Sequence, residues 1–122
     1  MTNFEQDLKD RMKKLGVDVI HLVERLPHQT AAEIISKQII RCSTSVGANY
    51  RAACRAKSRA DFIAKLAIAE EECDESMYWL EVMQDLKLAD DEELARLLGE
   101  AEEITKILVA SSKTAKQGLT RS

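Results

Sequence analysis

The chain has 122 residues, 45% hydrophobic and 32% charged, which suits one folded domain and is too apolar for a disordered chain. A formal net charge of −3 argues against general nucleic-acid binding driven by overall charge. Four glycines and one proline are few chain breakers, so long helices are favoured over many short strands.

Location and redox state follow from what the sequence lacks. No apolar run reaches about 18 residues, so we expect no membrane span. The first residues lack the apolar core of a signal peptide, and we therefore expect a cytoplasmic protein. Cys42, Cys54 and Cys73 are widely spaced and odd in number, which favours reduced, buried thiols over a disulfide framework or a zinc site.

Mostly apolar positions recur at steps of three and four in four segments, which predicts four amphipathic helices. We expect them over about residues 3–26, 30–54, 58–87 and 90–117. Short connections make neighbouring helices antiparallel. The predicted fold is therefore all-α, an antiparallel up-down-up-down four-helix bundle formed by a single domain over residues 1–122.

The helix ends carry their own signals. Pairs of a small polar residue and an acid three residues later are typical of N-terminal capping boxes. They are Thr2 with Glu5, Thr30 with Glu33, Ser58 with Asp61, and Asp90 with Glu93. Pro27 marks the first connection, and Gly118 is expected to end the fourth helix.

The stretch CSTSVGANYRAACRA, residues 42–56, is rich in small residues. The apolar rhythm continues through it, so we interpret it as the second half of helix 2 and not as a loop or a phosphate cradle. Gly47 indicates close helix packing or, alternatively, a functional approach of backbone. Asn49 is either a polar residue that fixes helix register or a ligand-binding amide.

Charges are sorted along the chain. Residues 34–60 contain no acid, and the basic residues there include Arg41 and a cluster at the turn between helices 2 and 3. That cluster is Arg51, Arg55, Lys57 and Arg59. It is a candidate contact for phosphate, although an ordinary solvated end or pairing with acids of a neighbouring subunit are alternatives.

Acids concentrate in EEECDE at 70–75, and we expect Arg41 to pair with Glu72 or Glu75. Neither histidine follows a glutamate by three residues, as bundle di-metal sites require, and His21 is expected to be a partly buried structural residue. No nucleophile has an activating base in a recognisable arrangement. We therefore predict no enzyme activity, no metal and no cofactor.

Tyr78 and Trp79 are adjacent, so on a helix they point about 100° apart and at least one lies outside the core. Helix 3 is also apolar on more than one side. Both observations predict self-association, with Tyr78 and Trp79 as candidate interface residues.

A pattern of spaced residues runs through residues 41–81, namely Arg41, Ser45, Val46, Asn49, Arg55, Phe62, Leu66, Ile68, Ala69 and Glu75. With this pattern the chain resembles, as a divergent member, the small four-helix-bundle proteins encoded in intervening sequences of bacterial 23S rRNA genes. This chain departs from the family pattern at Ala52-Ala53, usually acid-Gly, and at Glu71-Glu72, usually Gly-Ser.

The resemblance implies a homopentamer with no established enzymatic activity. A similar fold occurs in the accessory protein of diversity-generating retroelements, which binds reverse transcriptase and nucleic acid. We therefore expect a non-enzymatic, homopentameric scaffold that binds RNA, DNA or a nucleic-acid-processing partner through basic helix ends. The alternative is a protein–protein adaptor without nucleic-acid contact, which would use Trp79 and the acidic face.

Overall fold

A computed structural model describes the backbone of residues 3–121 and the side chains of residues 3–118. It contains four helices, as the sequence predicts. They are α1 (Asn3–Val23), α2 (Thr30–Cys54), α3 (Arg59–Asp85) and α4 (Asp91–Arg121).

Each helix packs against its neighbours in chain order, and α4 also packs against α1. The order of packing is that of an up-down-up-down bundle, because each connection is too short to cross it. Contact is sparsest between α1 and α4. Ion pairs span that seam, namely Arg11 with Glu100, Asp18 with Arg96, and Arg25 with Glu93.

The core follows the predicted apolar stripes. The largest fully buried side chains include Met12, Ile39, Leu66 and Leu108, one from each helix. Helix 2 differs in one respect: Tyr50 is buried, whereas its stripe neighbour Asn49 is half-buried. The core therefore lies slightly to one side of the stripe expected for this helix.

Two of the four predicted N-terminal caps are confirmed. The Ser58 hydroxyl accepts a hydrogen bond from the Asp61 N–H at 3.0 Å, and the Asp90 carboxylate accepts one from the Glu93 N–H at 3.0 Å. The capping box at Thr30 is wrong, because Gln29 is the N-cap residue and Thr30 already lies inside the helix. The cap at Thr2 lies outside the described residues.

Three helix ends differ from expectation. Helix α1 ends at Val23, and the Leu26 N–H donates a hydrogen bond to the Val23 carbonyl oxygen in a tighter turn. Leu26 precedes Pro27, and a residue before proline disfavours helical geometry. Helix α3 ends at Asp85 because Lys87 takes a left-handed conformation with φ 54°. Gly118 does not end α4, since it has no positive φ, and the helix continues to Arg121.

No helix in the described part of the chain is both long enough and apolar enough to cross a bilayer.

Candidate nucleic-acid and subunit interfaces

The five basic residues singled out in the sequence fall into three separate places. Arg41 lies on the α2–α3 surface, and Arg51 and Arg55 line a groove between α1 and α2. Lys57 lies in the connection before α3, and Arg59 is the first residue of α3. The fold therefore does not bring the five predicted residues together on one surface.

Arg41 is already engaged. Its Nη1 lies 3.0 Å from Glu72 Oε2, and its Nη2 pairs with Glu75, which confirms the pairing predicted from the sequence. The hydrogen bond from Arg41 is the main cause that lowers the pKa of Glu75. Arg41 thus links α2 to α3, and its guanidinium is less available to a ligand than the other basic groups.

The groove between α1 and α2 has a volume of about 460 Å³. We call it the α1–α2 groove, and it is lined by Gln6, Lys9, Asp10, Met12, Lys13, Gly16, Val17, Ile20, Thr44, Gly47, Ala48, Arg51 and Arg55. The last two of these come from the predicted cluster, whereas the α1 residues were missed. Lys9 and Lys13 were not predicted because the basic residues of α1 are interspersed with acids such as Asp7 and Asp10.

Two glycines form the floor of the α1–α2 groove. A Cβ atom on Gly47 would lie 3.3 Å from the backbone of Met12 and of Lys13 on α1. A Cβ on Gly16 would lie 3.3 Å from the Cα of Thr44 on α2. The close packing predicted for Gly47 is therefore confirmed, and it offsets the cost of about 1 kcal/mol that a glycine carries inside a helix.

Cations outnumber acids in the α1–α2 groove. Lys9, Lys13, Arg51 and Arg55 contribute positive charge, and Asp10 is the carboxylate among the lining residues. Among residues 3–118, neither Lys13, Arg51 nor Arg55 forms an ion pair, in contrast to Arg41. The groove thus presents three cations that form no ion pair with an acid in this part of the chain.

Lys57 and Arg59 face a different surface. They border a shallow hollow with Glu5, Cys54 and Phe62. The Arg59 guanidinium lies over Gly118 of α4, in the space that a side chain at position 118 would take. These two residues therefore belong to the end of the bundle near α4, and not to the α1–α2 groove.

The Asn49 side chain donates no hydrogen bond to another helix among the described residues. Its Nδ2 donates to the Ser45 carbonyl oxygen and to Ser45 Oγ, each at 2.9 Å. Both bonds lie within α2, so in this chain they fix the two side chains and not the alignment of two helices. The prediction that Asn49 fixes the register of two helices is therefore wrong for the described residues.

Several other residues that carry the family resemblance have structural roles. Leu66 and Ala69 are fully buried, and the half-buried Phe62 packs against the core. Glu75 accepts a hydrogen bond from the Trp79 indole N–H at 3.2 Å in addition to its pairing with Arg41. The motif thus describes how α2 packs on α3.

The two aromatic residues of α3 have different environments. Tyr78 is 57% exposed, whereas Trp79 is half-buried and packs against the core. Their rings meet edge to face with centroids 5.1 Å apart. Tyr78 is therefore the residue that faces outward, and the exposed Ile68 lies on the same helix.

The histidine and cysteine expectations have mixed outcomes. His21 is exposed, so the expectation of partial burial is wrong. All three cysteines are free, with Cys42 and Cys73 buried and Cys54 half-buried. Burial raises the pKa of each thiol. In the part of the chain that the structure describes, no three His, Cys, Asp or Glu residues form a metal-binding group.

Residues 5–110 match the protein family described as 23S rRNA-intervening sequence protein. The chain is also similar to a crystal structure of a protein of unknown function from the S23 ribosomal protein family of Bacteroides thetaiotaomicron. The two are 37% identical with a TM-score of 0.83, over 89% of this chain and 97% of the other. The comparison with curated proteins gives no match.

Proposed function

The chain belongs to the 23S rRNA-intervening sequence protein family, and from this premise we propose that it is a non-enzymatic, homopentameric scaffold of the cytoplasm that binds RNA or DNA. The observation that supports nucleic-acid binding is the α1–α2 groove, where Arg51 and Arg55 have no acidic partner among the described residues. Phosphate groups are the complementary ligand for two neighbouring guanidinium groups.

The binding experiment compares the wild-type chain with Arg51→Ala/Arg55→Ala. Affinity for a labelled RNA of about 16 nucleotides is measured by fluorescence anisotropy across a salt series. The double variant should bind more weakly, and its salt slope should fall by about 0.7 for each phosphate that the protein no longer neutralises.

The matched control is Lys37→Ala/Lys106→Ala, which removes two exposed charges outside the α1–α2 groove. It should leave the slope nearly unchanged. Absence of RNA binding by the wild-type chain at low salt, or an equal loss in both double variants, would contradict a specific role for the groove.

Assembly is proposed to use the outer surface of α3. Ile68 and Tyr78 are exposed there, 38% and 57% respectively, on a helix that is half-buried on several sides. Large exposed apolar side chains favour burial against a second chain. Light scattering should give a pentamer for the wild type and a smaller species for Ile68→Asp/Tyr78→Asp.

The control for assembly is Val109→Asp, because Val109 is exposed to a similar degree on α4. It should leave the assembly intact. A wild-type monomer at micromolar concentration would refute the assembly.

The second candidate function is a protein-binding adaptor that makes no nucleic-acid contact. The exposed acids Glu71, Asp74 and Glu81 accompany Tyr78 along α3 and favour a basic protein partner. Tyr78→Ala is the appropriate variant, because Trp79 packs against the core. A partner captured in a pull-down would then survive nuclease treatment and be lost with Tyr78→Ala.

A further inference from the structure

The α1–α2 groove combines two chemistries along its length. Gly47 lies beside Lys13, and Gly16 lies beside Thr44, which fixes the antiparallel register of the two helices. Arg51 and Arg55 therefore line one end of the groove. The other end, toward the middle of the bundle, is lined by apolar side chains, including Val17 and Ile20.

The apolar end is open to solvent. Val17 is 41% exposed and Ile20 is half-buried, although both lie beside the floor formed by Gly16. A ligand that only neutralised the arginines would leave this surface in water. The groove volume of about 460 Å³ falls within the range of sites that hold small organic molecules.

The spacing of the arginines suits one strand. Arg51 lies in the last turn of α2 and Arg55 is the C-cap residue four positions later, which places their backbones about 6 Å apart along the helix axis at about 1.5 Å per residue. Both can thus contact neighbouring phosphates of the same strand. A duplex offers phosphates as well, but its base faces are stacked inside and cannot reach Val17 or Ile20.

We propose that the α1–α2 groove binds unpaired nucleotides, with the phosphates at Arg51 and Arg55 and a base against Val17 and Ile20. This inference rests on the proposed nucleic-acid binding and specifies its substrate as a single strand. The lining contains no aromatic residue among those described, so the base contacts aliphatic side chains. Such contacts carry no hydrogen-bond readout, and the groove therefore tolerates any base sequence.

The test uses the full chain and three probes of equal length. They are a uridine oligonucleotide, the same strand annealed to its complement, and an abasic strand with an identical number of phosphates. The single strand should bind about fivefold to tenfold tighter than the abasic strand, and tighter than the duplex despite the higher charge density of the duplex.

Two variants at one exposed position separate base contact from charge. Val17→Ser should weaken binding of the uridine strand severalfold and leave the abasic strand unchanged. Val17→Phe adds an aromatic face and should tighten only the uridine strand. Because Val17 is partly exposed, both variants are expected to fold, and circular dichroism verifies this.

The outcomes separate this inference from the proposed function. Equal binding of all three probes, abolished in Arg51→Ala/Arg55→Ala, would overturn the inference and leave phosphate binding intact. No binding of any probe would overturn both. Competition by polyglutamate as effective as by the uridine strand would show that the groove prefers an acidic protein and would also overturn the inference.

Discussion

Arg41 of α2 and Glu75 of α3 form an ion pair that joins the two helices, with Glu72 as a second acceptor 3.0 Å from the guanidinium. Both residues come from the stretch that carries the family resemblance. Through this pair, Arg41 of the basic segment stabilises the packing of α2 on α3. Arg51 and Arg55 of the same segment are exposed. It also makes stability depend on pH in a defined direction.

Glu75→Gln should reduce stability at neutral pH but not in acid. The pKa of Glu75 is lower in the folded chain than its ordinary value of 4.5, mainly through the hydrogen bond from Arg41. Its stabilising contribution is therefore present above pH 4.5 and is lost as pH falls through the folded-state pKa. The effect is modest because water screens this exposed pair.

Urea unfolding of both chains at several pH values measures this difference. Asp74→Asn is the control, since it removes the same charge from an exposed position that has no ion pair among the described residues. If the two variants showed the same pH dependence, the pair would not contribute as described.

Ser43→Ala should stabilise the protein. The Ser43 hydroxyl is fully buried and has no hydrogen-bond partner among the described residues. Removing an unsatisfied buried hydroxyl should raise the free energy of unfolding by about 1 kcal/mol. Thermal or chemical unfolding monitored by circular dichroism measures the change.

Ser76→Ala is the matched control for Ser43→Ala. Ser76 is equally buried, but its hydroxyl donates to the Glu72 carbonyl oxygen at 2.8 Å. Its loss should lower the free energy of unfolding by about 1 kcal/mol. Equal changes in both variants would indicate that Ser43 is hydrogen-bonded after all.

Gly47→Ala and Gly99→Ala should have opposite effects. Alanine at the exposed Gly99 meets no atom within 4 Å, so the higher helix propensity should stabilise the chain by up to about 1 kcal/mol. Alanine at Gly47 would press on the backbone of α1 and force the helices apart, for a net loss of about 1 kcal/mol. Differential scanning calorimetry of both variants distinguishes the two; stabilisation by Gly47→Ala would contradict the close crossing.

One cysteine should react in the native state. Cys54 is half-buried, whereas Cys42 and Cys73 are fully buried. Because burial raises the pKa of all three thiols, labelling of Cys54 with a thiol-specific disulfide reagent should be slow at neutral pH and should accelerate as pH rises. Mass spectrometry should find one label per folded chain and three after unfolding.

Cys54→Ser is the control for labelling and should abolish reaction in the native state.

Neutral thiols at Cys42 and Cys73 stabilise the fold below their ordinary pKa of 9.0, and that contribution is lost as pH rises through the folded-state values. Rapid labelling of either residue at neutral pH would show that the core opens.

The sequence by itself determined the four helices and most of the apolar stripe that each buries, because hydrophobic periodicity depends only on residue spacing along one helix. It also determined the caps at Ser58 and Asp90 and the pairing of Arg41, where an antiparallel turn sets the heights of the partners.

Only the tertiary structure decided which charges share a surface. The orientation in which the helices pack places Lys57 and Arg59 on a different surface from Arg51 and Arg55. It also brings Lys13 and Val17 of α1 into the α1–α2 groove with Arg51 and Arg55. It likewise decided that Tyr78 faces outward while Trp79 packs inward. The shape of the α1–α2 groove depends on how closely these two helices cross, which Gly16 and Gly47 set through contacts between residues distant in the chain.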